Sequence, residues 1–270
     1  MGSAAVKIRA IAGTALQETL RRRVLWIVVI LVALIALFMG SGMAILSMAT
    51  ESGEADTADA LRANLVGGAI GLWTTAAYFL ALFLGAVALS SEATGKTLVN
   101  VLSRPIERPA YLTGRWLGIL AFLWAFQLTG ILLSLGVARL IGASYAPTLW
   151  VGLAGTLVNI TLMSGVSLGL SVVMPPVVAG ACAFLAPLLP GLVGRAIDNP
   201  WWLVKWPATA IYYLMPASMP SDLVSDSFSK ELLNPTYGLY ARVLGENALY
   251  AVAVFAFGCV LFSRRELKLR

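Results

Sequence analysis

Six stretches of this chain are apolar for roughly the 20 residues that a helix needs to cross ~30 Å of hydrocarbon, and that property limits the fold more than any other. They cover residues 24–49, 65–89, 116–138, 149–173, 177–197 and 247–263. Backbone in lipid must satisfy its own N–H and C=O groups, which leaves helices or a closed barrel, and runs this long are helical. The expected fold is an all-α integral membrane protein: six transmembrane helices in a single domain over residues 1–270. Composition agrees, with 59% hydrophobic and 12% charged residues, against about a quarter charged in soluble domains. The first run is too long for a signal-peptide core and reads as a retained span. The fifth contains Pro187 and Pro190, each of which frees a carbonyl and kinks a helix unless neighbours satisfy it.

Lysine and arginine set the orientation, because they accumulate on the cytoplasmic side of a membrane. With both termini inside, 13 of the 19 basic residues are cytoplasmic: Lys7, Arg9, Arg21, Arg22, Arg23, Lys96, Arg104, Arg108, Arg115, Arg264, Arg265, Lys268 and Arg270. Glu51, Glu54, Asp56 and Asp59 then fall in the outside loop after the first span. Residues 1–23 place Ile8, Ile11, Ala15 and Thr19 on one side, so an amphipathic helix is expected on the inner membrane surface. Residues 198–246 form a long external segment rich in Trp, Tyr and Pro, a composition suited to short helices at headgroup level. No basic run is interleaved with aromatics, so nucleic acid is not an expected partner.

Residues 90–97, SSEATGKT, come within one glycine of the phosphate-binding loop G-x-x-x-x-G-K-[ST]. That loop needs a strand leading in and a helix N-terminus after it; here a membrane span leads in, so nucleotide binding is not expected. Residues 165–169, GVSLG, match the serine-hydrolase elbow. The chain has no histidine to activate Ser167. Gly165 and Gly169 therefore read as a small-residue face for helix packing, as do Gly67 and Gly71. Cys182 and Cys259 lie in apolar runs as small buried side chains. Met39 with Met43, and Met215 with Met219, stand one turn apart and could hold Cu(I), but flexible packing explains them too. No catalytic, cofactor or metal site is expected. Thr74, Thr75, Tyr78, Gln127 and Asn159 are chief among the polar residues inside spans. Of these, Thr74, Tyr78, Gln127 and Asn159 could line a translocation path or bond helix to helix. No span has a central Asp, Glu, Lys or Arg, so an ion relay of its own is not expected.

A chain without an ion relay or nucleotide site is passive, structural, or driven by a partner. Residues 90–115 form its one long cytoplasmic loop. Within it, residues 97–102 can form a short helix that Pro105 ends, with Arg104, Arg108 and Arg115 held at the anionic inner leaflet. The pattern of Glu92, Gly95, Thr97, Leu98, Leu102, Ser103, Arg104, Pro105, Ile106, Arg108, Gly114, Arg115, Leu117 and Gly118 resembles the permease subunits of type 2 ABC exporters, in particular the group linked to multicopper-enzyme maturation. Lys96 departs from that pattern. The resemblance implies that Glu92, Gly95, Lys96, Thr97, Leu98, Arg104, Pro105 and Arg108 belong to a coupling loop docking on a separate ABC ATPase, which holds ATP and Mg. It further implies a dimer with a second permease copy or homologue, accessory proteins beside the membrane lipid, and a prokaryotic inner membrane. Two other readings remain: a membrane anchor or assembly subunit without transport, and an intramembrane hydrolase acting through Ser167.

Overall fold

The computed structural model describes residues 4–21, 24–51, 55–94, 108–186, 189, 193–194, 197, 201–214, 227–228 and 237–264. Among them the chain forms eight α-helices: α1 Ala4–Arg21, α2 Val24–Glu51, α3 Ala55–Thr94, α4 Arg108–Leu140, α5 Thr148–Ser171, α6 Pro176–Leu185, α7 Trp202–Leu214 and α8 Tyr237–Arg264. No described residue lies in a strand. Among the described residues five helices are long and apolar enough to cross a membrane: Val28–Met48, Thr57–Leu89, Arg108–Leu140, Thr148–Ser171 and Ala241–Arg264. The fifth expected span is represented by α6 alone, because residues 187–197 lie largely outside the described residues.

Several helices outrun the apolar stretches that announce them. The candidate spans of α3 and α4 are each 33 residues. At the start of α3, Ala58, Ala60, Leu61, Arg62 and Ala63 are strong helix formers, and propensity continues the ladder where hydropathy stops. The expected acidic loop is thus mostly helix: Glu51 closes α2, and residues 56 and 59 lie in the first two turns of α3. Asp59 also accepts from Arg62 at 2.8 Å. At α4, Pro109 occupies the first turn, where its fixed φ and missing N–H cost nothing. Gly142, at φ +70°, closes α4, and the Ala143 N–H returns to Ala138 O at 2.8 Å.

Lipid offers no hydrophobic drive between helices, so association depends on close packing of small residues and on interhelical hydrogen bonds. Contacts fix the directions. Ala88 meets Arg115, and Thr74 meets Gln127, so α3 and α4 are antiparallel. Leu82 meets Ser167, Tyr78 meets Asn159, Asn159 meets Asn247 and Gly169 meets Gly258, so α3, α5 and α8 run the same way. Phe38 packs on Gly68 and Ala86 on Gly180, while Phe79 stacks on Phe184 with centroids 6.2 Å apart. These place α2 and α6 antiparallel to α3. The resulting bundle centres on α3, α4 and α5, with α8 against α5 and α4, α6 against α5 and α3, and α1 along α4. Only 6% of the apolar window of α2 is buried, against 67% for α5, and α2 rests mainly on α3.

One part of the expected external segment is placed. Ser227 O accepts from the Ala146 N–H at 2.8 Å, and the Thr148 and Ser227 hydroxyls are 2.8 Å apart. Phe228 is 5% exposed and packs with Val66, Ile70, Ile131, Leu149 and Leu153, at the end of the bundle that carries the α4–α5 turn.

Candidate functional site

The expected docking loop is bracketed by two helices. Residues 90–94 continue α3 and residues 108–115 are already α4, so both ends of the expected 90–115 loop are helical, while residues 95–107 lie outside the described residues. Gly95, Lys96, Thr97, Leu98, Arg104 and Pro105 lie outside the described residues, as does the side chain of Glu92. The helix running through Ser90 gives the near-phosphate-loop motif the wrong lead-in, since such a loop is delivered by a strand.

The first three turns of α4 are held by four helices. Arg108 Nη1 donates to Ser263 O, near the end of α8, at 3.4 Å. Gly114 and Gly118 sit one turn apart beneath α1. A Cβ at Gly114 would lie 2.8 Å from Ile11 Cβ and 3.0 Å from Ile8 O, and one at Gly118 would lie 2.6 Å from Ala12 O. Between them Arg115 is 7% exposed, and its Nη2 donates to Ala88 O of α3 at 3.2 Å. The next residue, Trp116, donates Nε1–H to Ser164 Oγ of α5 at 3.1 Å and stacks on Phe255 of α8 with centroids 4.1 Å apart.

This arrangement corrects the sequence reading of Arg115, which is not at the leaflet: it faces α3 from inside the bundle. Sequence reasoning also missed Gly114 and Gly118 as a packing pair. The signal was available, since they have the spacing already noted at residues 165 and 169, but they had been absorbed into the loop motif. They hold α1 against the first turns of α4.

The polar residues inside the spans are brought together pairwise. Gln127 Nε2 donates to Thr74 Oγ1 at 2.9 Å, the Tyr78 hydroxyl lies beside the Asn159 side chain, and Asn247 Nδ2 donates to Asn159 Oδ1 at 3.4 Å. Thr75 is exposed. Asn247 was not singled out in the sequence, because it stood at the edge of the last apolar run. Such bonds contribute about 0.6–2 kcal/mol each between membrane helices. Gln127 is fully buried, and its Oε1 has no hydrogen-bond partner among the described residues.

Ser167 is used structurally. It is fully buried, and its Oγ–H donates to Leu82 O at 2.7 Å. Ser167→Ala is expected to cost roughly 1 kcal/mol, the net value of one such bond. Unfolding in mixed micelles measures this, and a fluorophosphonate probe should label neither form. A Cβ at Gly165 would meet Trp116 at 3.3 Å and one at Gly169 would meet Val254 at 3.6 Å, whereas Gly71 has nothing within 4 Å and Gly67 is buried. Met39 packs against the core and Met43 is 46% exposed; Met215 and Met219 lie outside the described residues. Cys182 and Cys259 are free thiols of intermediate burial.

Parallel and antiparallel apolar helices, tied across their middles by amide and hydroxyl groups, define a multi-pass membrane protein. The model of the ABC-2 family transporter proteins matches residues 9–267, nearly the whole chain, and the chain belongs to that family. It is therefore a permease subunit of an ABC transporter, a transport component and not a catalytic enzyme, whose family partner is an ABC ATPase. No curated protein matches the chain.

Proposed function

We propose that this permease couples ATP hydrolysis on a separate subunit to export of a substrate, through docking of that ATPase on residues 92–108. The observation that supports this best is the helical frame of the loop. α3 runs to Thr94 and α4 starts at Arg108, so a force on the intervening residues acts directly on two membrane helices. Closure of an ATPase pair moves a membrane protein only through an element stiff enough to transmit displacement. The charged residues Glu92, Lys96, Arg104 and Arg108 set the register with the partner.

The same reading comprises six spans with both termini cytoplasmic in a prokaryotic inner membrane. The opposed directions of α6 and α8 support it, because two ends on the same side of a membrane are separated by an even number of crossings, which antiparallel spans five and six supply. It also comprises a dimer with a second permease copy or homologue, for which the sparsely packed α2 offers a free apolar flank. Similarity of the loop motif to the multicopper-maturation permeases makes a related substrate one choice among several. ATP and Mg belong to the partner ATPase, and Thr74, Tyr78, Gln127 and Asn159 serve as interhelical ties beside the path.

Purification from the native membrane tests this directly. An ATPase is expected to travel with the chain. Glu92→Ala, or Arg104→Glu with Arg108→Glu, is expected to lower its retention at least tenfold, since charge reversal at a docking surface costs several kcal/mol. A stable complex without any ATPase would instead make the chain an anchor or assembly subunit. Unchanged retention in these variants would remove the loop from the docking surface.

A further inference from the structure

We propose that Arg115 is a positioning residue that locks α4 to α3 immediately behind the loop, so that the two helices flanking residues 95–107 move as one body when the ATPase pulls on them. The inference rests on the coupling reading above and adds to it the residue that turns a local pull into movement of the bundle.

The case begins with cost. A guanidinium never loses its charge in a protein, and removing it from water is unfavourable unless its donors are used. Leucine or methionine would fill the same space between helices without that penalty. Arg115 is nevertheless 7% exposed, in the second turn of α4, and directs Nη2 at Ala88 O in the last two turns of α3 at 3.2 Å. A helical carbonyl keeps a second lone pair after accepting its ladder hydrogen bond, so this contact does not require α3 to unwind. The bond is charge-assisted and directional, and it forms at one relative position of the two helices. It fixes the loop end of the pair, as the Gln127–Thr74 hydrogen bond fixes the middle.

Its neighbours give the lock its reach. Gly114 and Gly118 fit α1 to the same stretch of α4, and Trp116 reaches Ser164 of α5 and Phe255 of α8. Residues 114–118 are thus one turn of helix with a separate tie to α1, α3, α5 and α8. Arg115 supplies the tie to α3, the other helix leading out of the loop. Without it, a pull on the loop can draw α4 away from α3 and dissipate there. With it, the displacement goes to the whole bundle, and to α2 through α3.

The test uses the permease–ATPase complex isolated from its native membrane, with spin labels at Phe83→Cys and Leu117→Cys and with Cys182 and Cys259 replaced by serine. Phe83 and Leu117 are 48% and 42% exposed, on α3 and α4 respectively. Distances are measured nucleotide-free and trapped with ATP and vanadate. With Arg115 present, the α3–α4 distance distribution should be the same in both states. In Arg115→Gln it should match the parent when nucleotide-free and shift or broaden only when trapped, and Arg115→Lys should restore part of the parent behaviour. Arg115→Met keeps the aliphatic stem packed and replaces the glutamine variant if that one fails to assemble. A parent distance that changes on trapping overturns the lock, as does a neutral variant whose trapped distribution equals the parent's. Equal broadening in both states would mean a purely structural role and also overturns it. If the ATPase binds and responds to Glu92→Ala while the Arg115 variants behave as the parent, only this inference fails. If no ATPase accompanies the chain, the coupling reading fails with it.

Discussion

Gly118→Leu is expected to drive α1 off α4 and to destabilise the protein by about 3 kcal/mol or more, at the upper end of what overpacking costs. The reason is what surrounds that position. A Cβ there would stand 2.6 Å from Ala12 O and 2.8 Å from Ala15 Cβ, one a backbone atom and the other a side chain with no rotamer to change. Nothing nearby can yield except α1 as a whole. Displaced, α1 would expose Ala15 and Thr19, which are 2% and 7% exposed in the packed state. Limited trypsin digestion reads the result: cleavage at Lys7 and Arg9 should accelerate in Gly118→Leu, with Gly118→Ala intermediate. Unaltered cleavage in the leucine variant would mean that α1 is held by something other than this crossing.

Gly130→Leu should have an effect of similar size at the middle of the bundle. The Trp73 indole lies on Gly130, so closely that any Cβ would overlap the ring. The ring cannot retreat: Trp73 is 4% exposed and is backed by Phe126, with centroids 4.8 Å apart. Added carbon must part α3 from α4, and the Gln127–Thr74 hydrogen bond lies within a turn of the wedge. Unfolding in mixed micelles should show a loss of about 3 kcal/mol. Trp73→Leu should recover part of it, giving a coupling energy of about 1–3 kcal/mol in the double-mutant cycle. Gly136, with nothing within 4 Å, is the control, and Gly136→Leu should be nearly neutral.

What the sequence revealed follows from what lipid selects for. The 24–49 and 149–173 runs could be read because a membrane span must be apolar along its length, and the helices there overlie them closely. Hydropathy says nothing about where a helix ends in water. For that reason the extensions at Ala55–Asn64 and Arg108–Arg115 were read as loop, although alanine-rich propensity and Pro109 carried the information. Arg115 shows a different limit. Counting positive charges assigns a side of the membrane, and it treats an arginine turned inward and one turned outward alike. Only the packing of α3 against α4 distinguishes them. The polar pairs have the same character: Thr74, Gln127, Tyr78 and Asn159 were visible as polar residues in apolar runs, while their partners depended on helix directions that no single run encodes. Gly114 and Gly118 were legible by spacing as a packing pair as well as by the family motif that contains them.

The length of α3 and α4 has a mechanical consequence. A span of 33 residues at 1.5 Å per residue is a rod of about 50 Å, set in about 30 Å of hydrocarbon. Tilt alone would have to exceed about 50° to hide it, beyond the 0–40° that membrane helices adopt. Each rod therefore stands proud of the oily layer by about two turns or more in all. A rod of that length pivoting about its centre by ~10° carries its tip through about 4 Å, so small rocking within the bilayer and a residue-sized stroke at the water-facing ends are the same movement, geared by length.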